Sequence, residues 1–269
     1  VLPVPLNVID GIPAAGSAFS TATDMGKWLR FLLDSGRVSG GGRRLVSAQN
    51  FAELFKPQQI LARPFFPNAT LLKPHFQAYG LGWLLQDYRG EFMVLHTGSV
   101  EGRTAIVALL PERRLGVAIF TNLDRSELRH ALVYTVFDRY MPRRARPHDW
   151  SAEMRTFYRR IADSTAAARR AQESKRVTGT RPSLPLERYT GTYGDSLFGT
   201  AVIGLDGGQL TFQAGERIGR LEHWQNDVFR IAWADPYWPV EYVSFELAPD
   251  GTVGELRFVD GELVYRRVK

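Results

Sequence analysis

Cysteine is absent from all 269 residues, which removes disulfides, thiolate metal ligands and cysteine nucleophiles together. Long apolar runs are absent too. No stretch approaches the roughly 18 residues that a membrane-spanning helix needs, although 44% of the chain is hydrophobic. The opening Val1-Leu2-Pro3-Val4-Pro5 holds neither an initiator Met nor a basic stretch ahead of an apolar one, so no targeting segment is read there and the start reads as a cut. There is no G-x-S-x-G elbow, no G-x-x-x-x-G-K-[ST] phosphate loop and no H-E-x-x-H. The five histidines, His75, His96, His130, His148 and His223, are too scattered for a local metal motif. No metal and no cofactor are expected.

What is present is enough for a sizeable core, in one large domain or two small ones. The formal charge of +6 is concentrated: residues 142–182 hold eleven basic side chains against four acidic ones, and the rest of the chain is close to neutral. That segment reads as a solvated helix face rather than a nucleic-acid contact. Ser151 is a candidate N-cap, and Met154, Phe157, Tyr158, Ile161 and Ala162 share one stripe of a helix of about 25 residues.

Ahead of it, helix and strand alternate. Ser20 or Thr21 caps a helix whose Met25, Trp28, Leu29, Leu32 and Leu33 share a face, with Gly36 as its stop. A shorter helix spans 47–55, and a Pro-rich loop spans 57–77. Strands are expected at 81–86, 92–96, 104–110 and 115–121, then a helix over 126–140. After 184 the pattern changes to about eight short antiparallel strands with hairpin turns at Asp206-Gly207-Gly208, Asp250-Gly251 and Asp260-Gly261, a small barrel or sandwich. Trp224, Trp233, Tyr237 and Trp238 read as core packing of that barrel.

Chemistry points to His96-Thr97-Gly98-Ser99. A strand ending in an imidazole, a hydroxyl and a glycine offers an acyl substrate a charge partner, a hydrogen-bond donor and a closely approachable backbone edge. Glu101 and Arg103, just beyond, read as surface charges flanking a turn.

Six segments in order, Pro13-Ala14-Ala15-Gly16-Ser17, Ser20 to Met25 with Trp28-Leu29, Tyr79-Gly80-Leu81-Gly82-Trp83, His96-Thr97-Gly98, Leu109-Leu110-Pro111-Glu112 and Thr121-Asn122-Leu123, resemble the serine β-lactamase-like hydrolases: class C β-lactamases, penicillin-binding D,D-peptidases and related esterases and D-aminopeptidases. The likeness covers about residues 1–141; residues 184–269 resemble the lipocalin-like domain often appended to this branch. The resemblance implies an acyl-enzyme formed on the Ser of S-x-x-K, assisted by Y-x-N, with K-T-G as the third wall. His96-Thr97-Gly98 matches that wall. By carry-over, His96 holds the substrate carboxylate or supports proton transfer, Thr97 hydrogen-bonds the substrate, Gly98 allows close approach, and the Ser99 N–H is an oxyanion donor.

Two departures matter. His replaces Lys at the first position, and an imidazole with an ordinary pKa near 6.5 is only partly cationic at neutral pH, which favours a general hydrolase over a dedicated β-lactamase. No S-x-x-K or Y-x-N occurs in the 269 residues; Thr70-Leu71-Leu72-Lys73 only approaches the first. The chain is therefore expected to be the C-terminal portion of such an enzyme, inactive alone. The expected fold class is α+β: a partial β-lactamase-like domain over 1–141, an antiparallel sheet with flanking helices; a basic linker helix over 142–183; and a small antiparallel β-barrel over 184–269. The expected partner is a small-molecule or peptide substrate, with no nucleic acid, no transmembrane segment and self-association through exposed edges. A periplasmic or secreted location is implied by the resemblance alone. The competing expectation is a non-catalytic ligand-binding or regulatory module that keeps the pocket wall and the barrel.

Overall fold

The structure is a computed structural model that describes residues 3, 13–38, 40, 42–62, 68–100, 102–124, 127–141, 148–235, 238–259, 261 and 263–268. The chain divides into two compact units, Val1–Ala162 and Asp163–Lys269. No helix among the described residues is long and apolar enough to cross a membrane.

In the first unit the elements run α1 (Pro13–Gly16), α2 (Ala22–Leu33), α3 (Ala48–Leu54), β1 (Gln59–Ile60), α4 (Asn68–Leu72), β2 (Gln77–Tyr79), β3 (Leu84–Tyr88), β4 (Glu91–Val100), β5 (Arg103–Leu110), a 3-10 turn at Pro111–Arg113, β6 (Leu115–Thr121) and α5 (Leu128–Tyr140). A long helix, α6 (Trp150–Glu173), crosses the boundary between the units. The six strands form an antiparallel meander in sequence order. Side chains alternate across it. Leu85, Val94 and Leu109 line up across β3, β4 and β5 on the face that packs with Leu29 and Leu32 of α2 and Phe51 of α3. Leu84, Leu95 and Ala108 form the opposite row, packed with Ala131, Tyr134 and Phe137 of α5 and Trp150 and Met154 of α6. Both faces are covered, which is why Leu84–Tyr88 is buried at every position instead of alternating apolar with polar. Each fully buried Leu or Phe in these rows contributes roughly 1.5–3 kcal/mol.

Local chemistry sets the element ends, with several departures from expectation. Thr21 caps α2, its hydroxyl accepting from the Asp24 N–H at 3.1 Å, and Ser47 caps α3 in the same way. Asp149, not Ser151, caps α6, accepting from the Ala152 N–H at 2.9 Å; a carboxylate at that end also complements the helix dipole. The loop expected over 57–77 contains β1 and α4, and residues 63–67 lie outside the described residues. The strand expected at 81–86 begins three residues later because Gly80-Leu81-Gly82 forms a turn, in which the Gly80 N–H donates to Trp83 O at 2.7 Å. The most consequential departure concerns β4. It continues through His96–Ser99 to Val100, so those residues lie inside a strand and not at its end.

The second unit is an eight-stranded up-and-down barrel: β7 (Gly191–Asp195), β8 (Gly199–Asp206), β9 (Gln209–Ala214), β10 (Arg217–Gln225), β11 (Val228–Trp233), β12 (Glu241–Leu247), β13 (Val253–Phe258) and β14 (Val264–Arg267). Each strand pairs with the next, and β14 closes on β7 through Arg266↔Gly194 and Arg267↔Tyr193. Gly207 and Gly208 both adopt positive φ, 58° and 81°, in the two-residue turn between Asp206 and Gln209, a turn whose twist suits paired strands. Of the other two expected hairpins, Asp250-Gly251 turns at a Gly251 φ of 78°, while Asp260 lies outside the described residues. Inward positions recur every second residue, Ile203, Leu210 and Phe212, Phe229 and Ile231, Val243 and Phe245, so side chains fill the interior. Of the expected core aromatics among the described residues, only Trp233 packs against this cluster. Trp224 lies outside it, against Tyr242 and beneath the Arg176 guanidinium at 4.5 Å, and Trp238 is exposed and shares Arg217 with Trp233. Tyr237 lies outside the described residues.

The basic segment meets water. Arg155, Arg159, Arg160, Arg169 and Arg170 are exposed along α6, whereas its first turns are tied inward: the Trp150 indole N–H donates to Asp138, which also accepts from Tyr88 and Arg89. Residues 142–147, with Arg143, Arg144 and Arg146, lie outside the described residues.

Candidate active site

Strand β4 changes character at residue 95. Up to Leu95 it pairs with β3, from Tyr88↔Glu91 to Leu84↔Leu95, and from Val94↔Leu109 onward it pairs with β5, so Val94 and Leu95 have a strand on both sides. Beyond that point β3 has no partner to offer, because it begins only at Leu84. Residues 96–100 keep only β5, from His96↔Val107 to Val100↔Arg103, so their second backbone edge carries no strand among the described residues. An edge with unpaired N–H and C=O groups can take an extended acyl or peptide segment as an added strand.

Each side chain of the quartet has a distinct environment. His96 is open to solvent on one side and meets Tyr79 edge-on, with ring centroids 6.5 Å apart. Partial desolvation draws its pKa below 6.5, so the imidazole is mainly neutral at pH 7. Thr97 donates its hydroxyl proton to Ala105 O at 3.0 Å, leaving the oxygen lone pairs to accept from a ligand. With its proton engaged by β5, the Thr97 hydroxyl is placed to hydrogen-bond a ligand as an acceptor. At Gly98 a Cβ would meet nothing within 4 Å, and the φ lies in the range any residue adopts. Packing within the chain does not require this glycine. The Gly98 carbonyl accepts from Arg129 Nη1 at 2.6 Å, and the Ser99 hydroxyl lies 3.1 Å from the same nitrogen.

The register brings other motif segments to this end of the sheet. Tyr79, before the Gly80-Leu81-Gly82 turn, pairs with Leu84 opposite Leu95. Ser99 lies opposite Thr104, and Thr104 opposite Thr121; the Thr104 and Thr121 hydroxyls are 2.6 Å apart, and Thr121 donates to Leu123 O. Leu109-Leu110-Pro111-Glu112 turns the chain at the opposite end of β5, away from the quartet. Arg103 is exposed, as expected for a surface charge, and Glu101 lies outside the described residues. Among the described residues, no three His, Asp or Glu side chains gather to hold a metal ion.

Sequence reasoning passed over a buried polar cluster behind the quartet. Arg129 (6% exposed) and His130 (1% exposed) occupy the first turn of α5. Glu127, just before it, lies 3.6 Å from Arg129 Nη2 and 3.0 Å from His130 Nδ1. Burial raises the Glu127 pKa, but the His130 hydrogen bond, the Arg129 charge and a bond from Tyr158 outweigh it and leave the carboxyl below its ordinary value. Burial, then Glu127, pushes the Tyr158 phenol far up. The available signal was Glu127, Arg129 and His130 clustered at the start of a largely apolar helix.

Comparison with known proteins decides the family. The family model described as Beta-lactamase matches residues 2–138, half of the chain. The chain belongs to the beta-lactamase family. A second model, a domain of unknown function (DUF3471), matches residues 175–267, the barrel. Two curated relatives are unguisins hydrolases, ungD' of Aspergillus campestris, 26% identical over 199 residues covering 71% of this chain and 34% of that protein, and ungD of Aspergillus violaceofuscus, 26% identical over 208 residues covering 72% and 36%. The chain thus spans about a third of the length of these relatives. Among solved structures, the octameric penicillin-binding protein homologue from Pyrococcus abyssi shares 17% identity, with 93% of this chain and 47% of that chain covered at a TM-score of 0.38.

Proposed function

We propose that this chain supplies the third wall of the acyl-transfer pocket of a serine hydrolase that cleaves ester or amide bonds through an acyl-enzyme. The serine of S-x-x-K and the Y-x-N group would come from a segment outside these 269 residues. In that reading the domain division is 1–141 for the hydrolase portion, 142–183 for the basic helix and 184–269 for the barrel. The observation that carries it is the half-open strand at 96–100, with a glycine whose missing side chain faces unfilled space. A scissile carbonyl laid along this edge meets backbone at Gly98, and the Ser99 N–H serves as one oxyanion donor. The serine oxygen attacks the carbonyl carbon, the leaving group departs with a proton, and water then releases the acid.

His96 bears on the substrate. A mainly neutral imidazole attracts a carboxylate weakly and suits hydrogen bonding to an ester, an amide or a peptide; a carboxylate-bearing β-lactam fits less well. The names of the two Aspergillus relatives, hydrolases of unguisins, agree with a hydrolase. Fluorophosphonate labelling tests the reading. The complete gene product should label stoichiometrically and hydrolyse p-nitrophenyl esters, while the 269-residue chain should do neither. A coding sequence with no S-x-x-K and Y-x-N upstream of residue 1 would favour the non-catalytic binding module instead, and labelling of the 269-residue chain would reveal a different nucleophile.

A further inference from the structure

We propose that Arg129 is a positioning residue that fixes the backbone of the 96–100 edge from behind; the proposal deepens the hydrolase reading and rests on it for its kinetic arm. Helix α5 begins at Leu128, so Arg129 places a cation in the first turn, where the helix dipole disfavours it by roughly 0.3–1 kcal/mol. Burial adds a desolvation cost that a chain selected only for stability avoids. Stability of the helix alone therefore does not account for an arginine here. Its bonds do. Nη1 donates to the Gly98 carbonyl at 2.6 Å and lies 3.1 Å from the Ser99 hydroxyl, while Glu127 stands 3.6 Å from Nη2 and balances the charge. Nε has no hydrogen-bond partner among the described residues, so the directed bonding to β4 runs through one nitrogen aimed at two consecutive residues.

The position of those two residues matters. Past Leu95 strand β4 has lost β3, and on the remaining side β5 holds it only as far as Val100↔Arg103. A strand supported on one edge is free to twist or slip by a fraction of an ångström, and misplacement of about 1 Å costs an acyl-transfer site on the order of 100-fold. Arg129 replaces part of the missing support, because a planar guanidinium holds its direction where a lysine ammonium does not. Holding the Gly98 carbonyl also fixes the Gly98–Ser99 peptide plane, and with it the Ser99 N–H assigned to the oxyanion.

Hydrogen exchange on the 269-residue chain tests the anchoring without any need for activity. Arg129→Ala should speed exchange across 96–104 by at least about tenfold, relative to a control region at 84–94 that stays as protected as in the wild type. Should alanine unfold the unit, Arg129→Lys decides, since it keeps the charge on a shorter, more flexible side chain that lacks the rigid guanidinium to hold its nitrogen between the two acceptors; it should loosen 96–104 by a smaller factor. Unchanged exchange at 96–104 with the control region intact overturns the proposal. The complete gene product supplies the second arm. Per fluorophosphonate-labelled site, Arg129→Lys should lower kcat by about tenfold with KM changed less than about twofold. A merely structural role lowers the number of labelled sites and leaves kcat per site unchanged, and that result also overturns the proposal. If the wild-type complete product neither labels nor hydrolyses, the hydrolase reading falls while hydrogen exchange still judges Arg129.

Discussion

Alanine substitutions at Gly80 and Gly98 should have opposite effects, because one glycine serves the fold and the other leaves room for a ligand. At Gly80 a Cβ would stand 2.5 Å from the Leu54 carbonyl oxygen and 3.3 Å from that of Lys56, and backbone atoms cannot swing aside as a side chain does. Accommodating it displaces the turn that carries the Leu81 N–H bond to Leu54 O at 3.2 Å. Overpacking of about 1–3 kcal/mol and a lost hydrogen bond of about 1 kcal/mol give a destabilisation of roughly 2–4 kcal/mol. For a unit of this size, at about 2–4 °C per kcal/mol, the first unit's Tm should fall by roughly 4–16 °C.

Gly98→Ala meets nothing within 4 Å and needs no unusual φ. Removing glycine's extra freedom in the unfolded chain should stabilise by roughly 0.5–1 kcal/mol and raise Tm by about 1–4 °C. In the complete gene product the same methyl group stands where substrate backbone is proposed to lie, so kcat/KM should drop by at least about tenfold, the equivalent of 1.4 kcal/mol. Differential scanning calorimetry of the two variants and ester hydrolysis by the complete product provide the measurements. A Gly98→Ala variant less stable than the wild type by more than about 1 kcal/mol, or one that turns over normally, refutes the reasoning.

Three further expectations follow from the same geometry. An NMR titration of His96 should give a midpoint below 6.5, since burial disfavours the imidazolium; the unfolded chain then takes up its proton first, and this residue's contribution destabilises the fold as pH drops below about 6.5. A midpoint above 6.5 contradicts the neutral-imidazole argument. In the barrel, Asp227 accepts from the Ser183 N–H and hydroxyl at 2.8 and 2.7 Å and from the Tyr189 hydroxyl, whose pKa burial and then Asp227 push up to about 12. Asp227→Ala should cost about 3 kcal/mol by calorimetry. Burial raises the Asp227 pKa but these bonds outweigh it and depress it, so the wild type should lose this stability as pH falls below about 3.8 while the variant shows less acid dependence; equal acid profiles count against it. Finally, β6 pairs only with β5 among the described residues, and Phe120 on it is 44% exposed. The isolated chain should self-associate in light scattering and Phe120→Lys should weaken that, whereas a monomeric wild type rejects the open-edge argument.

Much of this architecture is legible from residue spacing. The barrel strands declare themselves because one face is packed and the other is wet, so Leu210 and Phe212 alternate with Gln209, Thr211 and Gln213, and glycines mark the turns. The central sheet hides more. Leu84 and Leu85 point to opposite covered faces, and such a run loses the period of two, which displaced the expected start of β3. Thr21 and Ser47 announce their helices through capping, while Ser151 misled because Asp149, two residues earlier, supplies a charged acceptor. The quartet at 96–99 was legible as a motif. Its open edge was not, because where β3 begins is a property of pairing and leaves no mark on β4. Arg129 was hidden for a related reason: thirty residues separate it from Ser99, and only folding places α5 behind β4.

The wall's geometry is built from contacts within this chain, and that separates two things the family motif joins. Residues 96–100 owe their extended form to β5, their open edge to the late start of β3, the mainly neutral imidazole of His96 to partial desolvation, and their backbone anchor to Arg129. None of these depends on a nucleophile. The covalent step asks only that a serine oxygen arrive about 3 Å from a carbonyl carbon lying along an edge already in place. On the proposed reading a segment bearing S-x-x-K would contribute reactivity, and residues 96–100 with Arg129 behind them would contribute position. Variants in the wall should therefore alter turnover per labelled site, and variants in the nucleophile segment should abolish labelling altogether.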